Sequence, residues 1–336
     1  MIDRQGRRTL GFLLGLLALA TAALPARAAE FTMKFGTATI NESQHQFLIY
    51  YKEALEKNSK GRIEVQVYPA SQLGAIPREI EGVQFGSIQA FMGPVDFFVG
   101  IDPRFGVFSA PMLFKDDRQA ALVVHDPALE KEMLGLAEAK GLIGMATMSI
   151  GAANYAAKKP ILRLADFEGK KLRINGTDLE RAKMSRLGAT GVAMPLSEVA
   201  PALDQGVIDG TISGTSIFVS LKMNNLVKVI TITNDTQLIP IAMVSKRWLE
   251  SLPPDLRQMV LDTGLEVQTR DQAYSFEFST NLEQQWKGMG GEIHHLPPGD
   301  LGKMKTMLTS VGDEVTKDQP PVHDLLERVR ALSAKY

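Results

Sequence analysis

Apolar and polar positions along this chain repeat at two periods. Residues 31-FTMKFGTAT-39 alternate every second position, and so does 62-RIEVQVYP-69, which stops at Pro69. Between them Phe47, Leu48, Tyr51, Ala54 and Leu55 recur at helical spacing, from about Ser43 to Lys57. Strand, helix and strand in this order predict a βαβ unit and, from it, a parallel sheet. A helix around 78-REIEGVQFG-86, a strand 88-IQAFMG-93 and a buried strand 142-LIGMATMSI-150 continue the rhythm.

The rhythm restarts after the polar stretch 158-KKPILRLADFEG-169. A short strand through Lys171–Ile174 is followed by a helix near 179-LERAKMSRLG-188, closed by Gly188. Strand 190-TGVAMP-195, a helix 197-SEVAPALDQG-206 capped by Ser197, and strand 208-IDGTISG-214 complete a second α/β unit. The chain therefore reads as two lobes of similar size. From Pro254 to Gly288 the only interior breaker is Gly264. A continuous helix of about 33 residues would run about 50 Å and lie across both lobes. Two helices joined at Gly264 are the alternative.

The first residues follow a different pattern. Arg4, Arg7 and Arg8 form a charged head, Leu10 to Leu24 is apolar, and Ala26-Arg27-Ala28 has the small-x-small form of a cleavage site. This predicts a secretory signal over residues 1–28, cut after Ala28, and an exported soluble product. The apolar run, about 15 residues, is shorter than the roughly 20 that span a bilayer. The Arg7-Arg8 pair leaves both the ordinary and the twin-arginine export routes open.

The signal changes the charge. The whole chain carries 37 basic and 38 acidic residues; the segment to Ala28 holds four arginines and one aspartate, so the remainder has a net charge of −4. No basic block or aromatic-basic interleaving suggests nucleic acid. Cysteine is absent, which excludes thiolate chemistry and leaves stability to the apolar core. His45, His125, His294, His295 and His323 show no metal-ligand spacing, and there is no nucleophile elbow or phosphate loop. An enzyme, a metal and a cofactor are therefore not expected.

One stretch raises a specific question. In 167-FEGKKLRINGT-177, Leu172 and Ile174 point one way and Lys171 and Arg173 the other, and Asn175-Gly176 supplies a turn. An arginine is thus delivered to the end of a short strand beside a loop.

The segments 67-VYPASQLG-74, 82-GVQFGSIQAF-91, 166-DFEGKKLRI-174, 197-SEVAPALDQGVIDG-210 and 252-LPPDL-256 stand in the order and spacing of a known family. From about Phe31 to about Leu332 the chain resembles the periplasmic solute-binding proteins of tripartite ATP-independent (TRAP) transporters. The resemblance implies an α/β periplasmic-binding-protein clamshell with two lobes, closing on its ligand by a hinge, and a long helix spanning both. It assigns residues 30–150 and 240–278 to the first lobe, and 151–239 and 279–336 to the second. It implies a monomer that hands a small organic acid to a membrane permease.

Arg173 matches the family arginine that holds the ligand carboxylate, a task suited to its parallel N–H donors. Ala153 stands where many members carry a second arginine, and Ser213-Gly214 where many carry Asn-Pro. These departures imply a less polar ligand: one carboxylate, with an α-hydroxy or α-keto oxygen and an apolar or aromatic body. Ser213, Thr215 or Asn154 are candidates for the α-oxygen. Phe91, Met92, Leu196 and Phe218 are candidates for the apolar wall, and Thr39 for a first-lobe contact. In 91-FMGPVDFF-98 the cleft-facing position falls on Pro94 or its neighbours. Asp235 is expected to face solvent. A dicarboxylate or acidic-sugar binder, the binding protein of another uptake system and a ligand-presenting sensor subunit remain the alternatives.

Overall fold

The computed structural model describes residues 29–336, so the expected signal segment lies outside the described residues. Eleven strands in chain order form two sheets. The first contains β1 (Phe31–Thr37), β2 (Ile63–Tyr68), β3 (Ala90–Pro94), β4 (Leu142–Thr147) and β10 (Pro240–Ser245), in the order β2-β1-β3-β10-β4. The second contains β5 (Ala153–Ala157), β6 (Lys171–Ile174), β7 (Thr190–Ala193), β8 (Gly210–Gly214), β9 (Val229–Ile232) and β11 (Glu292–His295), in the order β11-β9-β5-β8-β6-β7. Helices flank both, and two α/β lobes result, each with strands from distant parts of the chain.

The βαβ reading of the first lobe is realised: β1 pairs parallel with β2 and with β3, through the helices Ser43–Asn58 and Ile76–Phe85. The sheets are nonetheless mixed. β10 is antiparallel to β3 and β4, and β5 is antiparallel to β8 and β9. Both exceptions are strands that the chain enters directly from the other lobe. β4 and β9 run toward the junction between the lobes, and the next strand runs away from it in the opposite sheet. The two crossovers pair with each other as a short antiparallel ribbon. Ile150 N donates to Leu238 O at 3.1 Å, Leu238 N to Gly151 O at 2.9 Å, and Ala153 N to Thr236 O at 2.9 Å. Gly151 sits there at φ +95°, a conformation that favours glycine.

The long helix is shorter than the spacing predicts. It spans Pro254–Ser279, 26 residues or about 39 Å at the standard rise, and a separate helix Leu282–Gly288 follows. The break falls at Thr280-Asn281, not at Gly264. The hydroxyls of Ser279 and Thr280 donate to the carbonyls of Phe276 (2.8 Å) and Glu277 (2.7 Å), which offers the backbone an alternative to another helical turn. The long helix packs on helix Ser43–Asn58 and β4, while Leu282–Gly288 packs on helix Thr215–Ser220 and β11 of the second lobe. Gly264 serves close packing: a Cβ there would lie 2.4 Å from the carbonyl oxygen of Met145 on β4. Ser197 is also not the cap expected of it. It lies inside the 3-10 turn Leu196–Glu198, ahead of helix Val199–Asp204.

The C-terminal helix Pro320–Lys335 returns to the first lobe. It packs on the 3-10 helix Pro103–Ser109 and on helix Asp117–Val124, and Arg328 forms a two-pronged pair with Glu132 at 2.6 and 2.8 Å. No helix among the described residues is long and apolar enough to cross a membrane.

Gly264→Ala gains helix propensity but forces the helix off β4, and the clash outweighs the gain by about 1–2 kcal/mol. The expected outcome is a lower urea midpoint with an unchanged slope; an unchanged or higher midpoint would show that the helix and β4 separate freely.

Candidate functional site

Strand direction brings a set of polar groups to one place. β6, β8, β1 and β3 all end at the junction between the lobes, where open α/β sheets bind ligands. Arg173 is the third residue of β6, flanked by buried Leu172 and Ile174. Beyond it the chain turns through Asn175 and Gly176 (φ +121°) into helix Asp178–Arg186. Glu180 organises this turn. Its carboxylate accepts from the backbone N–H of Asn175 (3.1 Å), Gly176 (2.8 Å) and Thr177 (3.0 Å), while the Thr177 hydroxyl accepts from Glu180 N, a reciprocal helix cap.

The Arg173 side chain is 3 % exposed. Its Nε donates to Met194 O at 2.9 Å and Nη1 to Ile212 O at 3.5 Å, and its guanidinium faces the Phe97 ring at 6.0 Å. Among the described residues no carboxylate lies within 4.0 Å of its nitrogens. Burial lowers its pKa to about 10, against the opposing pull of Glu180 and Asp96, so the group stays charged at neutral pH.

Around it is a cavity of about 20 Å³, lined from the first lobe by Ala38, Thr39, Gln44, Ile76, Pro94 and Phe97. From the second come Asn175, Leu196, Ile212, Ser213, Ile217 and, on the crossover, Leu238. Gln44 is almost fully buried and its Nε2 donor has no hydrogen-bond partner. Ala38 and Leu196 are shared with a wider groove of about 250 Å³, walled largely by Val199, Leu221, Met223 and Leu226, with Lys222 on its edge. The inner cavity, the size of a single water, thus shares two wall residues with a mainly apolar groove.

The expected site residues divide. Arg173, Ser213, Thr39 and Leu196 line the inner cavity. Asn154 and Thr215 are hydrogen-bonded to each other at 3.1 Å and line a different groove of about 310 Å³. That groove is larger, but it lacks any arginine or lysine. Chemistry, not volume, therefore makes the Arg173 cavity the candidate anion site.

Four expectations are corrected. Phe91 lies in the core of the first lobe, its ring 6.4 Å from Phe98 and folded over Gly93. Strand alternation puts Phe91 and Gly93 on one face of β3 and Pro94 on the other. Met92, likewise fully buried, is in the same core and outside the cavity lining. Phe218 packs in a second core against Trp286 at 6.4 Å. Asp235 is not solvated: it is fully buried, pairs with Lys183 at 3.1 Å, and accepts from Tyr155 and Thr233, each at 2.8 Å. Its carbonyl also accepts from Met112 N of the first lobe at 2.7 Å. Sequence reasoning missed Gln44, Phe97, Asp96 and Asn175. Phe97 and Asp96 sit in the 91–98 stretch singled out above, and Asn175 in the turn after Arg173.

Asp96 and Asn175 join the lobes: Asn175 Nδ2 donates to Asp96 Oδ2 at 2.7 Å, and Ser109 donates to the other oxygen. Burial, then Glu180, push the Asp96 carboxyl up to about 7, against the pull of Ser109, Asn175 and Lys183.

Comparison with known proteins places this geometry in a class. Residues 35–319 match the family model of the bacterial extracellular solute-binding proteins, family 7. The C4-dicarboxylate-binding periplasmic protein DctP of Rhodobacter capsulatus is 33 % identical over 321 residues, which cover 93 % of this chain and 94 % of that protein. The chain belongs to this family, the TRAP solute-binding proteins, a family of binding proteins and not of enzymes. Its fold is shared with the sugar acid binding protein DctPAm from Advenella mimigardefordensis, solved with galactonate (TM-score 0.86, 21 % identity, 92 % of this chain and 99 % of that one). It is also shared with a TRAP periplasmic solute binding protein from Shewanella oneidensis, solved with succinate (TM-score 0.84, 24 % identity, 90 % and 99 %).

For Asp96 the sign of the pH effect is determined. The folded protein keeps its proton between about pH 4 and pH 7, where the unfolded chain has released it, so this contribution is present at low pH and is lost as pH rises through 7. Melting midpoints of the protein and of Asp96→Asn, measured from about pH 3 to pH 9, should show the parent losing ground relative to the variant between about pH 4 and pH 7 and a constant difference above pH 7. A pH-independent gap would refute the assignment.

Proposed function

We propose that this chain captures a small organic acid at Arg173, with one carboxylate on the guanidinium and an apolar or aromatic body along the outer groove. The observation that carries this reading is the buried, charged guanidinium with no protein carboxylate beside it. A carboxylate is the ligand that supplies both charge and bidentate geometry, and uncharged ligands would leave the cation uncompensated. The unpartnered Gln44 donor and the Ser213 hydroxyl suit a 2-hydroxy or 2-keto oxygen, and the Thr39 hydroxyl, which donates to Glu42, can accept from a 2-hydroxyl. Phe97, Leu196, Ile217, Val199 and Leu226 suit an apolar body.

A dicarboxylate is the second reading, and Lys222 favours it. Of the groups lining the two adjoining spaces, Lys222 is the one cation besides Arg173, and it stands at the groove edge where a second carboxylate would reach. The name of the Rhodobacter relative and the succinate of the Shewanella structure accord with this reading, and galactonate with a sugar acid.

Entry into so small a cavity requires the lobes to part, with the 148–152, 233–239 and 280–281 segments as the hinge and ligand favouring closure. The lobes that go with this reading are 30–150 with 240–278, and 151–239 with 279–336, the helix Pro320–Lys335 strapping the second to the first. The protein is exported to the periplasm with residues 1–28 removed, acts as a monomer, and presents its ligand to a TRAP membrane permease.

A thermal-shift series distinguishes the two readings. Ligand at a hundred times its dissociation constant adds about 2.7 kcal/mol to the native state. 2-Ketoisocaproate or mandelate should raise the midpoint more than succinate or galacturonate. Arg173→Ala should abolish every shift, and Lys222→Ala should leave the monocarboxylate shifts intact. A succinate shift that exceeds the others and disappears in Lys222→Ala would establish the dicarboxylate reading instead. Shifts that survive Arg173→Ala would overturn both.

A further inference from the structure

The 310 Å³ groove that holds Asn154 and Thr215 lies along the same edge of the second sheet as Arg173, but toward the other end. Arg173, Ser213 and Leu196 belong to the β8-β6-β7 flank. The groove takes Ile232 at the end of β9 and His295 at the end of β11, on the β11-β9-β5 flank. The hinge ribbon continues β5 and β9, and its consecutive residues Gln237 and Leu238 line the groove and the anion cavity respectively. Three of the chain's crossings between the lobes contribute to its wall: Gly151 from the first, Gln237 from the second, and Ser279 with Leu282 from the helix break.

Its polar lining is built but unpartnered. Asn154, Ser216 and Gln237 are 5 %, 4 % and 3 % exposed, and Asn154 Oδ1, Ser216 Oγ and Gln237 Oε1 have no hydrogen-bond partner. Two of the three atoms are amide carbonyl oxygens, which only accept, and the third is a hydroxyl that can accept as well. The charged groups around them are Asp116, Asp117 and Glu283, with His295 Nε2 at 3.7 Å from one Glu283 oxygen and Lys287 Nζ at 3.8 Å from the other; no lysine or arginine lines the groove itself. Burial and the neighbouring Asp116 push the Asp117 carboxyl above its ordinary range, consistent with a concentration of negative charge. Acceptor oxygens below and carboxylates at the rim select a donor with positive charge, the reverse of the Arg173 cavity. The volume is that of a small-molecule site.

We propose that this groove is a second binding site, taking a small organic ammonium ion. The ammonium donates to the Asn154 and Gln237 carbonyls and the Ser216 hydroxyl, with Asp117 and Glu283 balancing its charge. Because three crossings between the lobes form its wall, the groove changes shape when the lobes move, and an occupant is thereby coupled to closure.

The experiment is saturation-transfer NMR on the mature protein with ethanolamine and with putrescine as probes. The expected result is saturable binding of at least one of them. The double substitution Asp117→Asn, Glu283→Gln, at rim positions outside the core, should weaken it about tenfold or more, and Ser216→Ala should weaken it independently. Arg173→Ala, which removes the anion site, should leave it unchanged, so the outcome does not depend on the organic-acid reading. Absence of saturation for both amines up to about 10 mM, where specific affinity ends, overturns the proposal. So does binding that the double substitution leaves unaltered, or binding that is lost with Arg173.

Discussion

A buried cation without a counter-ion is the constraint around which this molecule is arranged. Desolvating a guanidinium is expensive, and a nearby carboxylate would satisfy it so well that no anion from outside could compete. The structure avoids that by occupying each neighbouring carboxylate. Glu180 is saturated by the backbone donors of its own helix cap, and Asp96 by Ser109 and Asn175. Glu180 and Asp96 still favour the charged form of Arg173 through space. They stabilise the charge without contacting the guanidinium directly.

The same neighbourhood ties the two lobes together: Asn175 meets Asp96 from the opposite lobe, and on the crossover the Asp235 backbone receives Met112 N from the first lobe. Acids buried away from the cleft follow a different rule. Asp271 and Glu79 have no hydrogen-bond partners, and burial pushes them to about 9 and about 8, so they are neutral at pH 7. Fixed charge in the interior is thus concentrated where the lobes meet.

The departures from the family pattern acquire meaning from position. Ala153, where the resemblance leads one to expect an arginine, opens β5 and is buried beside the hinge ribbon; it offers no second cation to the ligand. Ser213 on β8 does line the cavity, and its short hydroxyl leaves the room that apolar Ile217 and Leu238 wall off. Polarity near Arg173 is consequently low, and Lys222 at the outer groove is the remaining source of positive charge.

Periodicity alone identified β1, β2, β6 and the helices between them, and the alternation in Lys171–Ile174 placed Arg173 at a strand end. These features follow from local geometry: a period of two or of 3.6 shows which residues share a face. Periodicity does not say what that face meets. Phe91 and Phe218 looked like cleft residues and went to two separate cores, whereas Phe97 and Gln44, unremarkable in the pattern, reached the cavity. The antiparallel β5 and β10, the helix break at Thr280 and the buried Asp235–Lys183 pair were likewise settled by tertiary structure. The physical reason is the same throughout: the site is made where two lobes close on each other, and its contacts join residues as far apart in sequence as Asp96 and Asn175, about which local pattern carries no information.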